Sequence, residues 1–391
     1  MGVNAKFKDI VKISTYDVVK MKAIAVVWAA WYLFRQLLKN LWTSSAKATS
    51  ATDGNPPGCL TDASFGQHSY IKIKGVKLHY VDAGPKSKPL LILLHGFPDC
   101  WISWRYQIPE LAGHFRVVAL DLKGFGDSDK PESTYNYQIT NIIEEICEFV
   151  SILGYRRCTL IGHDIGALIG WFIVHTNPDI VDKFVSISAP HPDFYWDTIP
   201  SSYKINSRWV EFCQLPFLPE KSAMDEDLKL LNLLHSHLGK SVEDQSILAA
   251  YRYSFSRRED WIGALNYFRV LPFWRLRRKE VYQVAALLIV GNKDNAVQME
   301  SIIKSCDYFE KFAIKIVNDA GHYPHQEKAL EINQILKNYL IGNRAQPIEK
   351  KVQSNGLVNR MFGAVSSTVF DAVQKTTNGI TSRALNIGQN T

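Results

Sequence analysis

Three side chains that together could form and cleave a covalent ester fall in order along the chain: Asp164, Asp294 and His322. Asp164 lies in Gly162-His163-Asp164-Ile165-Gly166-Ala167, between an apolar run from Cys158 to Ile161 and another from Ala167 to Val174. This is the outline of a nucleophile elbow, a tight strand-to-helix turn with glycines where a side chain would collide. The usual central residue is serine, which suits acyl transfer. A carboxylate instead displaces a leaving group from an sp3 carbon and is left as an alkyl ester, so carbon–oxygen and carbon–halogen bonds become the candidate targets. Taken alone, Asp164 reads equally as a helix N-cap, where Asp is favoured.

The order of the elements decides between these readings. Leu287-Leu288-Ile289-Val290 reads as a buried parallel strand ending in Gly291-Asn292-Lys293-Asp294, and Ala313 to Val317 leads into Ala320-Gly321-His322-Tyr323-Pro324. Upstream, Leu90 to Leu94 ends in His95-Gly96-Phe97-Pro98, and Arg116 to Leu120 ends in a loop from Asp121 to Ser128. Nucleophile, acid and histidine, each just past a strand and in that chain order, are the arrangement of an α/β-hydrolase. The expected fold is a mostly parallel eight-stranded sheet with helices on both faces and an inserted helical lid. In such a fold the loop after the third strand and the residue after the nucleophile supply the oxyanion-binding amides, here Phe97 and Ile165.

His95-Gly96-Phe97-Pro98, Trp101-x-x-Trp104-Arg105, the Asp121 to Ser128 loop, Gly162-His163-Asp164 and Gly321-His322 together resemble the epoxide hydrolase branch of this superfamily, over residues 65 to 342. The resemblance implies that Asp164 attacks a strained ring carbon and that His322, held by Asp294, activates the water that cleaves the ester. It implies a lipophilic small-molecule substrate and water, with no metal or organic cofactor. The six cysteines agree, since none shows C-x-x-C or zinc-ligand spacing.

Epoxide hydrolases also place two lid tyrosines over the nucleophile to protonate the leaving alkoxide. Alignment of Phe212-Cys213-Gln214-Leu215-Pro216 puts Trp209 at the first position, and Leu265-Asn266-Tyr267-Phe268-Arg269 puts Phe268 at the second. Both phenols are then expected to be missing. Tyr267, Tyr203, Tyr251 and Tyr253 are the possible substitutes, and Trp104 is expected to face the substrate with them. Loss of a general acid costs about 10² to 10⁴ in rate. A carbon–halogen hydrolase and a catalytically weak lipid-binding relative therefore stand beside the epoxide reading, although the intact Asp164, Asp294 and His322 argue against the last.

At 391 residues and 46% hydrophobic content the chain has room for one α/β domain, a lid and extensions. The core is expected over 65–191 and 283–342. The lid is expected over 192–282, where strand signals vanish and Leu228, Leu231, Leu234 and Leu238 recur at helical spacing. The net charge of +7 resides in the ends: residues 1–48 carry +6 and residues 344–391 carry +4, leaving a core of −3. An acidic core gives nucleic-acid binding little support.

Ala23 to Phe34 is an uncharged run of twelve, preceded by Lys6, Lys8, Lys12, Lys20 and Lys22. It is shorter than the ~20 residues of a spanning helix. It lacks a small-residue cleavage site beside it, which argues against a removed signal peptide. A retained anchor within 1–48 is expected, through residues 20–42, as a snorkelling signal-anchor or an interfacial helix. In the polar tail, 343–391, a stripe through Leu357, Met361, Val365, Val369 and Val373 reads as a second amphipathic helix. With no N-x-[ST] site, the expected location is the endoplasmic reticulum membrane with a cytosol-facing catalytic domain. Met1-Gly2 begins a weak myristoylation match, with Lys6 where Ser or Thr is wanted.

Overall fold

A computed structural model describes residues 7–42, 54–203, 205–239, 241–277, 281–342 and the pair Ile348–Glu349. The tail stripe from Leu357 and the Gly2 motif lie outside the described residues.

The main sheet is assembled from short apolar runs. Its strands are β2 (Gln67–Ile73), β3 (Val76–Ala83), β4 (Leu90–Leu94), β5 (Arg116–Leu120), β6 (Cys158–His163), β7 (Val181–Ile187), β9 (Ala285–Gly291) and β10 (Lys311–Val317). The spatial order is β2-β3-β5-β4-β6-β7-β9-β10, with a two-residue edge strand, Ile348–Glu349, making a ninth. β3 pairs antiparallel with both β2 and β5, and from β5 through β10 the pairing is parallel. β4, β5 and β6 are buried along their whole length, which explains why they read as continuous apolar runs rather than alternating ones.

The chain leaves β4 for β5 on one side and returns to β6 on the other. That reversal opens a crevice at the carboxyl ends of β4 and β6, the place where open α/β sheets carry their sites. Flanking helices are α2 (Gln107–Ala112), α3 (Ile139–Ile152), α4 (Ile165–Thr176), α10 (Met299–Ser305), α11 (Pro324–Glu327) and α12 (Ala329–Leu340). α4 is apolar all round, and Ile165 to Val174 are all buried. Each large side chain so placed contributes about 1.5–3 kcal/mol, which holds the start of α4 firmly against the sheet.

Between β7 and β9 lie the lid helices α5 (Pro192–Tyr195), α6 (Ser207–Cys213), α7 (Leu218–Leu234), α8 (Val242–Ser254) and α9 (Arg258–Val270). α7 is kinked from Asp225 to Leu228, so Leu228, Leu231 and Leu234 bury on its second half while Leu238 falls in the turn beyond. α9 lies against the Asp121–Ser128 loop, where a side chain at Gly263 would meet Gly124 Cα at 2.5 Å.

The insertion is not free of strands. β8 (Trp274–Leu276) pairs antiparallel with β1 (Ile10–Lys12), a partner about 260 residues away that no local periodicity announces. The N-terminal segment then forms α1 (Thr15–Trp42), which packs on the lid: Ala25 buries with Phe212 and Leu215. Among the described residues no helix is long and apolar enough to cross a membrane.

Candidate active site

The elbow is built by close backbone approach. A side chain at Gly162 would lie 2.5 Å from Ala167 Cα, and one at Gly166 would lie 2.3 Å from the Leu94 carbonyl oxygen. Asp164 between them has φ +47°, a left-handed conformation that costs a non-glycine residue on the order of 1–3 kcal/mol. Although Asp164 occupies the cap position of α4, its side chain makes no capping bond. The carboxylate points instead into the crevice, buried, where the Phe97 N–H donates to Oδ2 at 3.1 Å. Ile165 follows as the first residue of α4.

Asp294, just past β9, accepts from the N–H groups of Ala296 and Val297 through Oδ1. Its Oδ2 lies 3.1 Å from His322 Nδ1, so that ring nitrogen donates and Nε2 is left facing Asp164. His322 Nε2 stands 3.9 Å from Asp164 Oδ1. The loop bearing His322 is pinned by Glu327, which accepts from the Gly321 and Tyr323 N–H groups. Behind it His163 Nε2 donates to the His322 carbonyl at 2.8 Å. Burial opposes a charge on His322, but the Asp294 carboxylate, hydrogen-bonded to it, and the Asp164 charge outweigh that cost and raise its pKa to about 9.

The loop after β4 is held from two sides. His95 accepts from the Leu122 N–H and bonds the Gly96 carbonyl, and burial keeps its ring neutral. Asp121 accepts from the Trp101 and Asp127 N–H groups. Burial opposes its ionisation, yet the bond from His79 prevails and holds it at about 2. The Tyr323 hydroxyl donates to the Phe97 carbonyl, tying this loop to the histidine loop.

A lid phenol does reach Asp164, and it comes from a residue outside every aligned position. Tyr195, at the end of α5, donates its hydroxyl to Asp164 Oδ1. Burial first, and the Asp164 charge next, raise its pKa well above the ordinary tyrosine value, so the phenol stays protonated. Tyr203 is the second phenol nearby, its ring 5.7 Å from that of His322; burial and the charges of Asp164 and Asp294 hold it protonated too. The signal for Tyr195 was positional: α5 starts five residues after β7, the strand beside β6, so its short helix overhangs the elbow.

The other lid expectations need correction. Trp209 lies on the face of α6 that meets α1, its ring 6.1 Å from that of Phe212 in the cluster of Ala25, Phe212 and Leu215 on which Trp28, Ala29 and Tyr32 also pack. Tyr267 points away, donating to the Lys123 carbonyl beside Phe125 and Tyr137. Trp104 is fully buried one layer behind the site, stacked on His325, rather than facing substrate. Tyr251 packs on His235 beside Gln326, and Tyr253 lines a separate cleft with His68 and Arg257. Phe268 is at the site, its ring 4.7 Å from Phe97 and 6.1 Å from Trp196, as part of an aromatic wall and not as an acid.

Among the described residues one group could ligate a metal: Asp99, His163 and His325, all buried, with one donor atom each inside a 4.8 Å limit. That limit is looser than the roughly 3.4 Å edge of a tetrahedral site with ~2.1 Å bonds. Burial raises the Asp99 pKa to about 7.

Residues 89–329 match the family model described as alpha/beta hydrolase fold. The chain is 35% identical to human epoxide hydrolase 4 over 323 residues, which cover 78% of this chain and 88% of that protein. It is likewise 35% identical to epoxide hydrolase 3 of Xenopus tropicalis, over 73% of this chain and 80% of the relative. An epoxide hydrolase from Bacillus megaterium, solved in complex with an inhibitor, superposes with a TM-score of 0.61 at 28% identity, covering 70% of this chain and 99% of that one.

Proposed function

The chain belongs to the epoxide hydrolase family of the α/β-hydrolase fold, and we propose that it opens lipophilic epoxides to vicinal diols through an alkyl ester on Asp164. Asp164 Oδ1 attacks a ring carbon and the carbon–oxygen bond breaks. Tyr195, with Tyr203 beside it, gives its proton to the departing alkoxide. His322 then takes a proton from water, and the hydroxide adds to Asp164 Cγ. The negative charge that develops on Oδ2 is received by the Phe97 N–H, already bonded to that atom, and by the Ile165 N–H. Collapse expels the diol with the Asp164 oxygen it acquired. The two water protons end on the diol and on the tyrosine phenolate, and the water oxygen remains in Asp164.

The observation that carries this reading is the Tyr195 hydroxyl on Asp164 Oδ1. A halide departs as a stable anion and needs no proton, whereas an alkoxide needs an acid. A buried, protonated phenol at the nucleophile therefore favours the epoxide over the carbon–halogen bond. The wall of Phe97, Phe268 and Trp196 supports a lipophilic substrate.

Replacement of His322 with Gln leaves the attack intact and removes the base. Incubation of that variant with panels of lipid epoxides and alkyl halides, followed by intact-mass and peptide mapping, is expected to show a persistent adduct on Asp164 with epoxides. An adduct formed by halides alone would transfer the proposal to the carbon–halogen class.

A further inference from the structure

Beside Asp164 and His322, three buried side chains arrive from three parts of the chain. Asp99 comes from the loop after β4, His163 is the last residue of β6 and His325 lies in α11. Each keeps a donor atom free. Asp99 accepts from the Cys100 N–H through Oδ1, while its Oδ2 makes no hydrogen bond. Burial keeps His163 neutral, and its one N–H goes from Nε2 to the His322 carbonyl, so Nδ1 carries a bare lone pair without a partner. His325, also kept neutral by burial, bonds nothing through either nitrogen; its ring packs 4.7 Å from that of Trp104 and 4.5 Å from that of His163.

Buried polar atoms are nearly always paired, and these unpaired ones belong to neighbours. The three side chains each offer one ligand atom within 4.8 Å of the others. Two neutral imidazoles and a carboxylate are the donor set of zinc and similar divalent metals, whereas magnesium and calcium favour oxygen alone. Zinc bonds of ~2.1 Å set donors about 3.4 Å apart, so the group has to close by at most about 1.4 Å. Turning the His325 ring about its side-chain bonds provides movement without breaking a hydrogen bond. Metal on His163 Nδ1 would leave the bond to the His322 carbonyl in place. The Arg105 charge, near enough to lower the His325 pKa, opposes a cation here, which makes the Asp99 carboxylate the indispensable ligand.

We propose that Asp99, His163 and His325 form a zinc site that ties the loop after β4, the end of β6 and the histidine loop together at one buried point. Three protein ligands leave a position for one small ligand more. The ion takes no part in the ester chemistry, so the proposal is independent of which bond Asp164 breaks. Because zinc would bind the folded chain at a site that the unfolded chain lacks, it should raise the melting temperature.

The test uses the full chain, stripped with a chelator and then dialysed against zinc alone. Wild type is expected to retain one zinc ion per chain and to melt higher with it, and a crystal soaked in zinc should show anomalous scattering between Asp99, His163 and His325. Asp99→Asn and His325→Gln should each weaken retention by about 100-fold or more, at least the cost of losing an outer partner of a ligand. In the absence of metal His325→Gln should melt close to wild type, since it breaks no hydrogen bond. A further variant, His325→Cys, keeps a ligand at the position; with cobalt it should show a sulfur-to-metal charge-transfer band that wild type lacks, and it serves if His325→Gln does not fold. Wild type that retains no zinc overturns the proposal. Retention that both Asp99→Asn and His325→Gln leave unchanged does so too, by assigning the ion to other histidines, as does a folded His325→Cys protein that binds cobalt without the band.

Discussion

Tyr195 donates its phenolic proton to Asp164 Oδ1, the same oxygen that His322 Nε2 approaches to 3.9 Å. In the proposed mechanism one carboxylate oxygen thus meets the acid of the first half-reaction on one side and the base of the second on the other. Oδ2 is meanwhile reserved for the Phe97 N–H. This division separates the two steps and makes them separately testable.

Tyr195→Phe is expected to slow ester formation by about 10² to 10⁴ while leaving hydrolysis of the ester, once formed, close to wild type. Tyr203→Phe should slow the same step less, since its ring lies against that of His322 while it is the Tyr195 hydroxyl that bonds Asp164. Single-turnover kinetics with a fluorescent epoxide resolve the two phases. A Tyr195→Phe enzyme with normal ester formation would remove the phenol from the mechanism.

His322 must be neutral to act as a base, and in the free enzyme its pKa stands at about 9. Below that value the ring is protonated. Ester formation moves one negative charge from Asp164 to the phenolate left on Tyr195 beside it, while Asp294 stays bonded to Nδ1 and goes on holding the proton. Ester hydrolysis should therefore rise with pH through a midpoint of about 9 and then level off. Asp294→Asn removes the carboxylate bonded to Nδ1; it should move the midpoint lower and slow hydrolysis roughly 10²-fold or more. A midpoint that Asp294→Asn leaves in place would show that Asp294 does not hold the proton on His322.

Lys123, in the Asp121–Ser128 loop, and Glu145, on α3, form a buried ion pair at 2.7 Å. Burial disfavours both charges, lowering the lysine pKa and raising that of the glutamate. Lys123→Met strands the carboxylate and is expected to cost about 3–5 kcal/mol, and Lys123→Met/Glu145→Leu should recover most of it. Urea denaturation of the three proteins checks this, and a double variant no more stable than the single one would contradict it.

The core was legible because its signals are local. Leu90–Leu94 and Arg116–Leu120 are apolar runs bounded by turn residues and became β4 and β5 with those limits. The close contacts of Gly162 and Gly166 required glycine, and the sequence displays it. The lid was legible only as an insertion. Trp209 and Phe268 stood at the positions where the resemblance expected phenols, but which face of a lid helix looks inward depends on what docks outside. Here α1 covers α6, so Trp209 turns toward α1. Tyr195 was hidden because a four-residue helix has no periodicity to read, and its role comes from the adjacency of β7 and β6. The pairing of β1 with β8 is likewise a long-range contact.

The most direct test of an ester on Asp164 is a single turnover in ¹⁸O-labelled water with enzyme in excess over epoxide. The mechanism transfers an unlabelled Asp164 oxygen to the diol and leaves the water oxygen behind. The peptide containing Asp164 is therefore expected to gain one ¹⁸O and the diol none. Label in the diol with none in that peptide would mean that water attacks the epoxide directly, and the covalent account would be wrong.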